Sequence, residues 1–197
     1  MSGLQASLFN DCMNKKEGKA SIMADPFDLT RYVRDIPDFP KPGIMFKDIT
    51  PLLSNPEALR IAIDRIAEAA SKKGEIHAVA AAEARGFIFG APVAMLLNVP
   101  FVPIRKPGKL PFDKIGIEYA LEYGTDRLEI HSDALTSGQK VLLIDDVLAT
   151  GGTMKACADL VRSIGAEVTA CAFLMELLFL GGAEKLKPDE IISLIRY

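Results

Sequence analysis

The stretch VLLIDDVLATGGT, residues 141–153, sets two adjacent carboxylates, Asp145 and Asp146, directly ahead of a turn ending in Gly-Gly-Thr. Neighbouring carboxylates repel each other, and the end of an apolar strand is a costly place for an unpaired charge. They therefore call for partners from outside the strand. Ionised oxygens accept hydrogen bonds from sugar hydroxyls, or face a divalent cation held through them. The turn Ala149, Thr150, Gly151, Gly152, Thr153 supplies a complementary half. Its backbone N–H groups, a hydroxyl and a helix N-terminus can converge on one anion, and glycine lets the backbone approach closely. A ribose 5-phosphate satisfies both halves, with its phosphate in the turn and its hydroxyls on the carboxylates. The stretch is neither a Walker loop nor a dinucleotide fingerprint, since G-x-x-x-x-G-K-[ST] and G-x-G-x-x-G are both missing from it.

Such a site needs a scaffold, and the chain has the length for one. At 197 residues, 49% hydrophobic and 25% charged, it suits a single globular domain with a full core. A formal net charge of -3 gives no general attraction to nucleic acid or to an anionic membrane, so any anion site must be local. The apolar run 87–104 is broken by Gly90, Pro92, Asn98, Pro100 and Pro103, which argues against a membrane span. The three cysteines, Cys12, Cys157 and Cys171, are odd in number and lack C-x-x-C spacing. Buried thiols in a reducing, cytoplasmic setting are the expectation. Residues 1–25 are mixed and polar with no signal-peptide core, so they read as a disordered extension ahead of one domain, 26–197.

Within that domain, α and β patterns alternate. Asn55 and Pro56 open a helix whose Leu59, Ile63, Ile66 and Ala70 recur at helical spacing, ending near Gly74. HAVAAA, residues 77–82, reads as a strand buried on both faces, residues 86–97 as a helix, and 99–104 as a strand. The run 105–131 differs, with two β-like segments around Gly124 that suggest a hairpin or flap. Then follow a strand over 140–144, a helix over about 153–164, a strand over 168–173 and a last strand in EIISLIRY. This order predicts an α/β fold: a parallel sheet with helices on both faces and ligands beyond the carboxyl ends of the strands.

The thirteen residues of VLLIDDVLATGGT closely resemble the phosphoribosyl pyrophosphate signature of the type I phosphoribosyltransferases. DFPKPGIMFKDITPLL (38–53), EARGFIFG (83–90), RKPGKLP (105–111) and LEYG (121–124) follow in an order similar to that of the adenine phosphoribosyltransferases. The resemblance covers roughly residues 27–197. It implies a hood over about 36–55, a flexible flap over about 105–131, and a homodimer whose pyrophosphate site draws partly on the neighbouring subunit. It further implies transfer of phosphoribose to adenine, giving AMP and pyrophosphate in purine salvage. Mg2+ would be held mainly through the substrate, with no dedicated set of protein ligands.

Residue by residue, the resemblance places ribose and 5-phosphate on Asp145, Asp146, Ala149, Thr150, Gly151, Gly152 and Thr153. Pyrophosphate falls to Glu83, Ala84, Arg85, Arg105, Lys106 and Lys109, with a cis peptide at Glu83–Ala84. Glu122 matches the flap carboxylate that exchanges a proton with the purine, and Glu118 is its nearest rival; Arg85 is the second catalytic candidate. Met45, Phe46 and Lys47 fall where the family contacts adenine. Two departures stand out: Lys47 replaces a common arginine, and Ala84 replaces a serine found in some relatives. The motif alone leaves the base open between adenine and hypoxanthine, guanine or xanthine. A non-catalytic sensor of phosphoribosyl pyrophosphate is the other reading. His77 and His131 have no metal-ligand partner at useful spacing.

Overall fold

The computed structural model describes residues 27–120 and 124–197. A 3-10 turn, Leu29–Tyr32, leads into a small antiparallel pair, β1 (Arg34–Ile36) and β2 (Phe46–Asp48), and a short helix α1 (Thr50–Leu53). Helix α2 (Pro56–Ser71), strand β3 (Ala78–Ala82), helix α3 (Gly86–Leu97) and strand β4 (Phe101–Ile104) follow. Next comes a hairpin of β5 (Lys114–Ala120) and β6 (Thr125–His131). The chain then forms β7 (Lys140–Leu148), α4 (Gly152–Ser163), β8 (Glu167–Glu176), a short α5 (Gly182–Leu186) and β9 (Ile191–Arg196).

Five parallel strands form the main sheet in the order β4-β3-β7-β8-β9. The chain leaves β3 toward one edge and leaves β7 toward the other. The crevice between these two neighbours is therefore the switch point where open α/β sheets take their ligands. Side-chain alternation feeds a core on each face. Val79, Ala81, Leu142 and Ile144 meet Ala62, Ile66 and Ala70 of α2 and Phe89 and Val93 of α3. Ala80, Leu143, Cys171 and Phe173 meet Met154, Cys157 and Val161 of α4 and Leu128 and Ile130 of the hairpin.

Local chemistry explains the element ends near the site. Asn55 caps α2 by accepting the Ala58 N–H at 2.9 Å, and Pro56 needs no donor at the first helical position. The all-small β3 lets α3 lie close: a Cβ on Gly90 would stand 2.8 Å from the Ala81 Cβ. Cys157 and Cys171 are buried thiols, as their positions suggested, and burial pushes both pKa values up. One boundary differs from expectation. Strand β7 runs on to Leu148 because β8 extends equally far, pairing Asp145 with Phe173 and Leu148 with Glu176. The two acids thus sit inside the strand's last turnless residues rather than beyond its end. Among the described residues no helix is long and apolar enough to cross a membrane.

Candidate active site

A cavity of about 490 Å3 opens at the carboxyl ends of β3 and β7. Its walls are residues 83–85, Lys106 and the run 145–154. The sheet thus brings together Glu83, Ala84, Arg85, Lys106, Asp145, Asp146 and the Ala149-to-Thr153 turn, from three separate parts of the chain. Arg105 and Lys109 do not line the cavity, although Arg105 reaches it indirectly through Glu83.

The turn is built as an anion nest. Gly151 takes a left-handed conformation at φ +79° and caps α4 without any side-chain hydrogen bond. The first N–H groups of this 12-residue helix are therefore left to an outside acceptor. The loop is held from behind by Gly182, a residue outside the motif. A Cβ on Gly182 would lie 2.2 Å from the Ala149 carbonyl oxygen, and one on Gly151 would lie 2.5 Å from the Gly182 oxygen. Only two facing glycines permit that contact. Nothing in the motif signals Gly182, which arrives some thirty residues later in the chain.

The carboxylates occupy different environments. Asp146 is buried and pairs with Arg85 at 2.7 Å, Oδ2 to Nε. Asp145 accepts the Asp146 backbone N–H through Oδ1 at 2.9 Å. Burial, and then the Asp146 charge beside it, push the Asp145 carboxyl well above the usual carboxylate range. Asp146 is also raised by burial, with the Arg85 guanidinium opposing. The pair therefore shares a proton more readily than isolated acids would, and Asp146, which holds the cation, is the member kept ionised.

Among the described residues, the cations that line the cavity, Arg85 and Lys106, are already paired. Besides Arg85 with Asp146, the Arg105 Nε donates to Glu83 Oε2 at 2.9 Å, and the Lys106 N–H donates to the same oxygen at 3.1 Å. Burial works against the Glu83 charge, but these donors outweigh it and hold the carboxyl below its ordinary value. The Lys106 ammonium is paired with Asp126 of β6. The Glu83–Ala84 peptide is cis, as the resemblance implied.

The hood residues lie apart from this cavity. Met45 is about half exposed, and Phe46 packs edge-on to Phe39 with ring centroids 5.1 Å apart. Lys47 pairs with Asp35 at 2.7 Å and lies 3.8 Å above the Tyr197 ring, so its side chain ties the hood to the end of β9. None of the three lines the cavity. Glu122 lies outside the described residues, whereas Glu118 lies on β5, solvent-exposed and 3.9 Å from Arg127.

Comparison with known proteins matches residues 49–193 to the phosphoribosyl transferase domain. The adenine phosphoribosyltransferase of Rippkaea orientalis is 57% identical over 171 residues, covering 86% of this chain and 99% of that protein. The chain belongs to the adenine phosphoribosyltransferase family. The family's crystal structure from Thermoanaerobacter pseudethanolicus superposes with a TM-score of 0.83 at 53% identity, over 86% of this chain and 98% of that one. A third family member, from Saccharomyces cerevisiae, was solved with adenine and an imino-altritol bisphosphate. It is 37% identical with a TM-score of 0.79, covering 84% of this chain and 96% of the other. The parallel α/β sheet expected from the strand order, and the type I phosphoribosyltransferase architecture implied by the resemblance, are therefore the architecture of this family member.

Proposed function

We infer that the cavity performs the family's reaction: the phosphoribosyl group of phosphoribosyl pyrophosphate passes to adenine, giving AMP and pyrophosphate. A ring nitrogen of adenine forms a bond to the anomeric carbon as the bond to pyrophosphate breaks, and its proton leaves to a base. The observation that carries this reading is the meeting, in one cavity, of an uncapped helix N-terminus, a carboxylate pair and cationic side chains. Together these suit the phosphate, the ribose and the pyrophosphate of a single substrate. Adenine in the yeast relative's complex supports the choice of base.

In this reading the Ala149-to-Thr153 turn holds the 5-phosphate, and Asp145 and Asp146 accept from the ribose hydroxyls. Negative charge beside the ribose also stabilises the oxocarbenium character that develops as pyrophosphate departs. Arg85, with Glu83 and Ala84 shaping its loop, grips the pyrophosphate through a planar fork. Lys106 adds charge from the cavity wall, while Arg105 and Lys109 complete the pyrophosphate site of the neighbouring subunit in a homodimer. Met95 and Leu96, exposed at the end of α3, support an apolar contact between copies. Met45, Phe46 and Lys47 supply the adenine face, Lys47 through its backbone. Glu122 exchanges the purine proton, and the hairpin acts as a flap that excludes water.

Mg2+ fits the donors present. Two hard carboxylates face the cavity, and Mg2+ takes one or two such groups while keeping waters and substrate phosphate oxygens. Among the described residues no group of three acidic, histidine or cysteine side chains forms a cage for it. When bound, it neutralises polyphosphate charge and improves the leaving group. The deciding experiment is a panel of purine and pyrimidine bases with Mg2+ and phosphoribosyl pyrophosphate, scored for nucleotide and pyrophosphate. AMP is the expected product. IMP or GMP without AMP would overturn the base assignment, and tight sugar binding without turnover would point to a sensor.

A further inference from the structure

One hydrogen-bonded chain runs from the hairpin to the phosphate turn and involves two residues not assigned above. Tyr119 of β5 stands directly across from Asp126 of β6. Its ring packs against the core beneath the hairpin, which fixes where the hydroxyl points. That hydroxyl donates to Asp126 Oδ2 at 3.3 Å and lies 3.5 Å from the Thr153 hydroxyl oxygen. The same Oδ2 receives the Lys106 ammonium. The order Thr153, Tyr119, Asp126, Lys106, with Lys106 also hydrogen-bonded to Tyr119, thus joins the phosphate turn to a cation on the cavity wall.

We propose that Tyr119 and Asp126 are positioning residues that couple occupancy of the phosphate turn to the seating of the hairpin and the placement of Lys106. This rests on the reading of residues 149–153 as the 5-phosphate site. A phenol has one proton, and here it is committed to Asp126, so Thr153 makes its contact by donating to the tyrosine oxygen. An arriving phosphate is the stronger acceptor, being charged, and draws the Thr153 proton to itself. The Thr153 oxygen then offers only lone pairs, and the Tyr119 phenol proton is shared between that oxygen and Asp126. The hairpin gains a donor bond to the occupied turn. Asp126, sharing the phenol proton less, holds the Lys106 ammonium more firmly, and Lys106 also hydrogen-bonds Tyr119, so the place of the ammonium on the cavity wall follows the seating of the hairpin.

Tyr119→Phe removes the relay and keeps the packed ring. The expected result is a KM for phosphoribosyl pyrophosphate raised about three- to tenfold, with kcat, the adenine KM and the thermal midpoint changed less than about twofold or 2 °C. Asp126→Asn should raise the same KM, and the double variant should be no worse than the poorer single one. In hydrogen exchange at saturating ribose 5-phosphate, the hairpin amides of the wild type should slow, and those of Tyr119→Phe should not. An unchanged KM, an equal loss in both substrates, additive single effects, or equal protection of both proteins would overturn the proposal. Absence of AMP from the wild type would instead sink the functional reading, so the two failures are told apart.

Discussion

Asp145 is the residue where function and stability conflict. Burial and the Asp146 charge raise its pKa from 3.8, so the folded chain binds a proton there more tightly than the unfolded chain does. The stabilising share of that proton is complete below pH 3.8 and is lost as pH rises through the folded pKa. Asp145→Asn carries no such charge. Its thermal midpoint should equal that of the wild type in acid and exceed it by roughly 2–4 °C, about 1 kcal/mol, well above the carboxylate range. The same variant should lose about 100-fold or more in kcat/KM, because an amide cannot ionise when positive charge develops at the ribose and draws a second carboxylate into its charged form. A midpoint difference independent of pH would show that Asp145 is ionised at no cost. Glu122 makes a contrasting case, since its proposed work is a proton transfer rather than binding. Glu122→Ala should slow kcat by about 100-fold while the dissociation constant of phosphoribosyl pyrophosphate stays within about threefold. Equal losses in both would remove it from the proton-transfer role and bring Glu118 forward.

At the scale of elements, the phosphate turn depends on a second loop. Ala149 and Gly151 rest on the backbone of Gly182, at the start of α5, with no room for a Cβ on either glycine. Gly182→Ala drives a methyl group into the Ala149 carbonyl, a backbone atom that has no rotamer to escape through. The KM for phosphoribosyl pyrophosphate should rise tenfold or more while the adenine KM holds, with the midpoint lowered by roughly 2–6 °C. A loss confined to stability would mean that the turn tolerates the shift. This dependence marks the limit of what the sequence displays. The turn, the acids and the alternation of strands and helices were legible because each rests on neighbours in the chain: periodic apolar residues, Asn55 ahead of Pro56, glycines within one motif. The sequence shows β7 only as far as Ile144 because Asp145 and Asp146 interrupt its apolar run, and the residues to Leu148 are kept extended by pairing with β8. Gly182, Asp126 and Tyr119 were invisible for the same reason, since their partners are brought in by the fold. Lys47 was placed by resemblance beside the base, yet its ammonium is engaged by Asp35 and Tyr197, a contact between the two ends of the described chain.

For the whole molecule, sheet order explains why these parts meet. Strands β3 and β7 are neighbours whose connections diverge, so the loop carrying Arg85 and the turn carrying Thr153 face each other across one crevice. The cations drawn to that crevice are each balanced by a carboxylate, which keeps a chain of net charge -3 from presenting a bare basic pocket. Substrate pyrophosphate must then exchange places with carboxylates rather than fill an unpaired site, and neither Arg105 nor Lys109 lines the cavity of its own chain. The proposed homodimer resolves the shortfall by letting one copy's basic loop serve its neighbour. Solution mass should accordingly be about twice 21.4 kDa. Dilution through the range where that mass falls to a single chain should lower kcat/KM for phosphoribosyl pyrophosphate by about tenfold or more, the loss of charged contacts to pyrophosphate being worth roughly 1.5–3 kcal/mol each. Saturating phosphoribosyl pyrophosphate should shift that transition to lower protein concentration, because a ligand held by both copies favours their association by mass action. Specific activity that stays constant while the mass halves would show that each chain carries a complete site, and Arg105 and Lys109 would then have to act within their own subunit.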